Sequence, residues 1–86
     1  MGTAETPKFH MYTTTWCGDC IRLKRELAEA GISYEETDIE ENPNAATYIE
    51  QFNNGAHRIP TLVFSDGSSL TEPSLAQVEE RLNSLS

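Results

Sequence analysis

Positive charge is scarce in this chain: six Lys and Arg stand against 14 Asp and Glu, for a formal net charge of -8. Nucleic-acid binding draws much of its affinity from neutralised phosphates, so this balance argues against that partner class. No apolar run approaches the roughly 20 residues a membrane-spanning helix needs, and no membrane partner is expected. Residues 1–8 are polar and hold no hydrophobic segment, so no secretory leader is expected and the expected location is cytoplasmic. Cysteine is limited to two residues, and histidine to His10 and His57. That set lacks the ligand spacing of a zinc site, and no metal is expected. Repeats, low-complexity tracts and linkers are lacking as well. What is left is a chain of 86 residues, 37% hydrophobic and 23% charged. Such a chain suits one small globular domain over residues 1–86, with 1–7 as a flexible start and a monomer as the expected state.

The two cysteines stand three positions apart in Trp16-Cys17-Gly18-Asp19-Cys20. An apolar strand-like run, Phe9-His10-Met11-Tyr12, precedes them, and a charged amphipathic run over 21–30 follows. Strand, turn, Cys-x-x-Cys and helix in that order read as a thioredoxin-like redox site. In a cytoplasmic protein such a pair is read as catalytic rather than as a structural staple. The first turn of a helix presents unpaired N–H groups and partial positive charge, which stabilise a thiolate over a thiol. Thiolate is the form that attacks a disulfide sulfur. Cys20, Leu23, Leu27 and Ala30 follow the stripe of a buried helix face. Cys20 is therefore the inward sulfur and Cys17 the exposed one.

The remaining elements follow from punctuation and periodicity. Residues 8–13 read as a central strand, with His10 as a packed or hydrogen-bonded histidine rather than a ligand. The first helix spans 18–30 and stops at Gly31. Residues 32–39 begin with Ile32 and Tyr34 inward, then turn acidic, as an edge strand reached by a right-handed crossover does. Asn42-Pro43 starts a second helix, with Ala45, Tyr48, Ile49 and Phe52 on its apolar side and Tyr48 and Phe52 in the core. Pro60 opens the strand Leu62-Val63-Phe64, and a cis peptide at Ile59-Pro60 is expected there. Asp66-Gly67 marks a hairpin. The last helix is expected from about Glu72-Pro73, with Leu75, Val78, Leu82 and Leu85 inward. The order is β-α-β-α-β-β-α: an α/β fold, one four-stranded mixed sheet flanked by three helices. Arg22, Lys24 and Arg25 directly follow the cysteines, while six acids lie between Glu35 and Glu50. Two readings of this distribution stay open and weigh equally: both clusters are solvated faces, or the cations set a local positive field that helps the thiolate and draws in anionic partners.

Cys-x-x-Cys after the first strand, Ile59-Pro60-Thr61 before the third and the Asp-Gly hairpin before the last helix resemble the glutaredoxin branch of the thioredoxin fold. The resemblance covers nearly the whole chain. Tyr12-Thr13-Thr14-Thr15-Trp16-Cys17-Gly18, Asp38-Ile39-Glu40 and Asp66-Gly67-Ser68-Ser69-Leu70-Thr71-Glu72-Pro73-Ser74 resemble the mycoredoxins, actinobacterial oxidoreductases that work with mycothiol in place of glutathione. Two departures stand out. Asp19 replaces the aromatic residue common before the second cysteine, and its charge opposes a thiolate at Cys17. Ser68-Ser69-Leu70-Thr71-Glu72 replaces the Gly-Gly-x-Asp segment that holds the γ-glutamyl group of glutathione.

The resemblance implies a thiol–disulfide oxidoreductase with no bound cofactor, using mycothiol as reducing co-substrate and NADPH indirectly through a separate reductase. Its implied substrates are mycothiolated or disulfide-containing proteins. Cys17 is the implied attacking thiol in a monothiol route, and Cys20 a resolving thiol. Gly18 allows close backbone approach, Ile59 beside Pro60 offers backbone groups to the incoming thiol, and Arg58 supplies a charged hydrogen bond. Thr71 and Glu72, at the start of the last helix, contact the sugar part of mycothiol, and Trp16 packs beside and shields the sulfur. Two readings of other classes stay open: a dithiol redoxin fed by thioredoxin reductase and donating to a ribonucleotide reductase or a similar protein disulfide, and an iron–sulfur cluster carrier.

Overall fold

The computed structural model describes residues 8–85; the flexible start expected over 1–7 lies outside the described residues. The first strand, β1 (Phe9–Thr13), alternates buried and half-buried positions. Phe9, Met11 and Thr13 turn to one face, while His10 and Tyr12 turn to the other. β1 pairs in parallel with β2 (Glu35–Asp38) and antiparallel with β3 (Thr61–Phe64), and β3 pairs antiparallel with β4 (Ser69–Thr71). The strand order is β2-β1-β3-β4, so the two most apolar strands are central. Register places Met11 opposite Leu62 and Phe9 opposite Phe64.

On that shared face lie α1 (Gly18–Glu29) and α3 (Leu75–Ser84), which give Leu23, Leu27 and Val78 to a core with Phe9, Met11, Leu62 and Phe64. Each fully buried Leu is worth about 1.5–3 kcal/mol of transfer free energy, so this cluster is the main source of stability. Among the described residues, α2 (Pro43–Glu50) is the one helix on the opposite face. There the rings of Tyr12 and Tyr48 meet at 5.6 Å, and Tyr48 meets Phe52 at 5.4 Å. One helix cannot cover a four-stranded face. His10 and Tyr12 stay half-buried for that reason, and His10 bonds to the Thr37 hydroxyl at 2.6 Å.

Several boundaries differ from the sequence expectation. β2 begins at Glu35, not at residue 32, because Ile32 and Tyr34 pack onto the core before pairing starts. The Tyr34 ring stacks on Phe9 at 5.5 Å. Ala30 is exposed, since the helix has already ended at Glu29 and Gly31 takes φ 71. Tyr48 is 40% exposed and belongs to a surface aromatic row rather than to the core. Asn42 precedes α2 without a side-chain cap bond, and its amide donates instead to the Asp38 carbonyl at 3.3 Å. α3 starts at Leu75, later than Glu72-Pro73, because Ser74 and Gln77 form a reciprocal capping box and Glu72 holds φ 50. The hairpin turns on Gly67 alone, at φ 87, whose N–H donates to the Phe64 carbonyl at 2.9 Å. Among the described residues, no helix is long and apolar enough to cross a membrane.

Candidate active site

The parallel pairing of β1 with β2 ends at Thr13 and leaves Thr14 to Trp16 to turn the chain into α1. Cys17 is the N-cap of that helix, in extended conformation at φ -80 and ψ 118. Its Sγ accepts a hydrogen bond from the Cys20 amide at 3.3 Å, the bond that a serine or threonine oxygen usually takes at this position. A sulfur so placed lies on the helix axis end, where N–H dipoles favour negative charge. The same Sγ lies 4.0 Å from the Ile59 carbonyl oxygen, to which the thiol donates. The Ile59-Pro60 peptide is cis, as expected. The fold therefore brings the loop before β3 against the loop before α1, with the reacting sulfur between them.

The two thiols are unequal. Cys17 is half-buried, while Cys20 has no accessible surface and sits under the first turn. Burial pushes the Cys20 thiol up from its ordinary ionisation range, and the Thr13 hydroxyl partly opposes that rise. Cys20 is thus held as a protonated thiol behind the sulfur that faces solvent.

The other expected site residues divide. Arg58 and Glu72 form an ion pair, Nε to Oε2 at 3.2 Å, across the Pro60 loop, and the Glu72 N–H donates to the Pro60 carbonyl at 2.7 Å. Glu72 therefore sits in the site as a loop residue, not as a helix start. Thr71 closes β4, and its hydroxyl is turned away to donate to Asn53 Oδ1 at 2.6 Å. Trp16 is 66% exposed and does not seal the sulfur, because its indole N–H donates outward to Glu40 Oε2 at 2.8 Å. Asp19 is exposed and pairs with Arg22 at 3.6 Å, so its charge on the first turn is partly neutralised. Arg22 also meets Glu26 at 3.6 Å, and Lys24 meets Glu36 at 3.1 Å. Any cationic field there is therefore largely spent on local acids. A Cβ at Gly18 would meet nothing within 4 Å, so no protein contact requires glycine there.

Asn53 is the residue that sequence reasoning missed. It stands just beyond α2, where it is buried and donates to the Ile49 carbonyl and to Thr61 Oγ1, both at 3.1 Å. Thr61 in turn donates to the Arg58 carbonyl, which closes the turn carrying Ile59 and Pro60. The only signal was one more Asn than a turn needs.

Comparison with known proteins now bears on this geometry. The glutaredoxin family model matches residues 10–69, a stretch that includes both cysteines and the cis-proline loop. A protein of Mycobacterium tuberculosis H37Rv named as a glutaredoxin is 46% identical over 77 residues, covering 90% of this chain and 92% of that protein. The chain belongs to the glutaredoxin family. Mycoredoxin 1 of Corynebacterium glutamicum is 31% identical over 75 residues, covering 87% of this chain and 92% of that one. In fold, this glutaredoxin resembles the crystal structure of the glutaredoxin from Methanosarcina mazei Go1, with a TM-score of 0.74 at 21% identity over 88% of this chain and 78% of that one. The three helices and four-stranded mixed sheet of its described residues are those of the thioredoxin-like fold. As a glutaredoxin-family redox protein, its partners are thiols and disulfide-containing proteins.

Proposed function

We propose that this glutaredoxin reduces mixed disulfides between proteins and mycothiol by a monothiol route through Cys17. The observation that carries the reading is the inequality of the two sulfurs: Cys17 is reachable and capped by the Cys20 amide, while Cys20 is sealed and held protonated. The 31% identity to a mycoredoxin supports the choice of thiol.

In this route the Cys17 thiolate attacks the mycothiol-side sulfur of the mixed disulfide. The protein sulfur leaves with the electron pair of the broken S–S bond and takes a proton from water. Cys17 then carries mycothiol as a mixed disulfide. A second mycothiol, as thiolate, attacks the mycothiol sulfur of that intermediate, giving mycothiol disulfide and returning Cys17 as thiolate. A separate NADPH-dependent reductase recycles the disulfide. Attack by Cys20 on the intermediate competes poorly, because a sulfur held as thiol is a weak nucleophile. Where the substrate is a protein disulfide and no mycothiol intercepts the intermediate, Cys20 has no competitor: it gives up its proton to the leaving substrate thiolate and closes a bond with Cys17 as the substrate is released as dithiol. Ile59 presents its backbone to the incoming thiol, and the Arg58–Glu72 pair borders the same edge.

The test is a pair of variants assayed on one mycothiolated protein. Cys17→Ser abolishes turnover and Cys20→Ser retains it; equal loss in both replaces the monothiol route with a dithiol one. Mycothiol and glutathione as reductants of one model disulfide, side by side, decide the co-substrate: equal rates remove the preference proposed here.

A further inference from the structure

A second concave surface adjoins the site at Trp16 and Ile59. It is a groove of about 390 Å³ lined by Thr14, Trp16, Ile39, Glu40, Pro43, Ala46, His57 and Ile59. That volume is near the lower end of the roughly 300–1,000 Å³ of sites that enclose small ligands. Trp16 and Ile59 link it to the reacting sulfur: one precedes Cys17 in the chain, and the other places its carbonyl 4.0 Å from Sγ.

Two features define what the groove takes. Its walls are apolar, from Ile39, Pro43, Ala46 and the Trp16 ring. Its mouth is acidic. The Glu40 carboxylate is fixed there by the Trp16 indole at 2.8 Å, and the one ring able to bring positive charge, His57, is tied to Glu50 Oε2 at 2.6 Å. A protonated His57 is thus cancelled by Glu50 and a neutral one leaves Glu50 uncompensated, so the lining is net negative in either state.

An anionic ligand meets Glu40 and is repelled. A purely apolar one leaves the Glu40 carboxylate without a counter-charge. An aliphatic stem ending in a cationic head answers both features. We propose that this groove is a subsite for a basic segment of the protein substrate, receiving a lysine or arginine side chain next to the reacting cysteine. The proposal rests on the redox reading above for its placement beside Cys17. It deepens that reading by naming a substrate class: protein thiols flanked by basic residues, in keeping with the chain's net charge of -8.

Trp16 is the only tryptophan in the chain, so its emission reports the groove without any turnover. The probes are three hexapeptides that carry serine in place of the reacting cysteine, with lysine, norleucine or glutamate beside it. The lysine peptide is expected to give a saturable change in emission at a concentration about tenfold lower than the glutamate peptide, since attraction is replaced by repulsion of similar size. The difference is expected to shrink at about 0.5 M salt. Glu40→Gln keeps an oxygen for the indole and removes the charge, and it is expected to bring the three peptides within about twofold of one another. Equal responses to the three peptides in the unaltered protein overturn the proposal, as does a lysine preference that Glu40→Gln leaves intact. These peptides cannot react, so a failed groove is distinguishable from a failed monothiol route, which the Cys17→Ser and Cys20→Ser assays judge separately.

Discussion

Replacing Asn53 by alanine tests how the cis-proline loop is held. The side chain is 8% exposed and makes three hydrogen bonds, donating to the Ile49 carbonyl and to Thr61 Oγ1 at 3.1 Å and accepting from Thr71 Oγ1 at 2.6 Å. Each net bond is worth about 0.5–1.5 kcal/mol. The Ile49 carbonyl keeps a second donor, the Phe52 N–H at 3.1 Å, and Thr61 keeps its bond to the Arg58 carbonyl. The uncompensated loss falls on the Thr71 hydroxyl and on the space left behind, and the expected destabilisation is about 2–3 kcal/mol. For a domain of this size that lowers the melting temperature by about 10–20 °C. Thermal and urea unfolding followed by circular dichroism read the effect. A double-mutant cycle with Thr71→Val is expected to show coupling of about 1 kcal/mol, because each single variant already breaks the shared bond. A loss under about 0.5 kcal/mol, or additive behaviour in the cycle, would refute the reasoning. Because Thr61 closes the turn bearing Ile59, the same variant is expected to lower kcat/KM on a small mixed disulfide severalfold.

The remaining predictions concern the sulfurs, alkaline pH and the glycines. Iodoacetamide at neutral pH is expected to modify Cys17 alone in the folded protein, with Cys20 reacting only after denaturation, as mass spectrometry of the intact chain reads directly; early double modification would contradict the burial of Cys20. Burial raises the ionisation of Cys20, Tyr12 and Tyr34 above their ordinary values. The unfolded chain therefore loses these protons first, so the stability they contribute is intact below about pH 9, the ordinary thiol range, and is lost as pH rises through the native values. The urea midpoint is expected to hold up to about pH 9 and to fall above it, and a flat profile would count against it. Gly67→Ala, at φ 87, is expected to cost about 1 kcal/mol, whereas Gly18→Ala, in open space at the helix start, is expected to stabilise by about 0.5 kcal/mol; melting curves of both separate the two roles.

The element order was legible because each element carried its own local signal. Cys20, Leu23 and Leu27 at helical spacing, Asn42-Pro43 and Asp66-Gly67 needed no tertiary knowledge to interpret. The errors came where tertiary packing outweighed local pattern. Ile32 and Tyr34 alternate like strand residues, but core burial claims them before pairing begins. Pro73 looked like a helix opening, yet Ser74 and Gln77 satisfy the first-turn donors better. In the site, the meeting of Cys17 and Cys20 with the Ile59-Pro60 peptide was legible from motif and spacing. The outward bond of Trp16 to Glu40 and the diversion of Thr71 to Asn53 were not, since each depends on a partner 24 or 18 residues distant. Pairings at that range leave no periodic trace.

The use of a sulfur as the cap of α1 ties the helix to the oxidation state of the protein. An anionic sulfur accepts the Cys20 N–H more strongly than a neutral one does, so the first turn is held most firmly when the site is reduced and ionised, and it loosens once that sulfur is shared in a covalent bond. Around a closed thermodynamic box, any such excess stability of the reduced fold reappears as a more positive midpoint potential. Substitutions that merely firm or fray the start of this helix should therefore tune the protein as an oxidant without touching either cysteine.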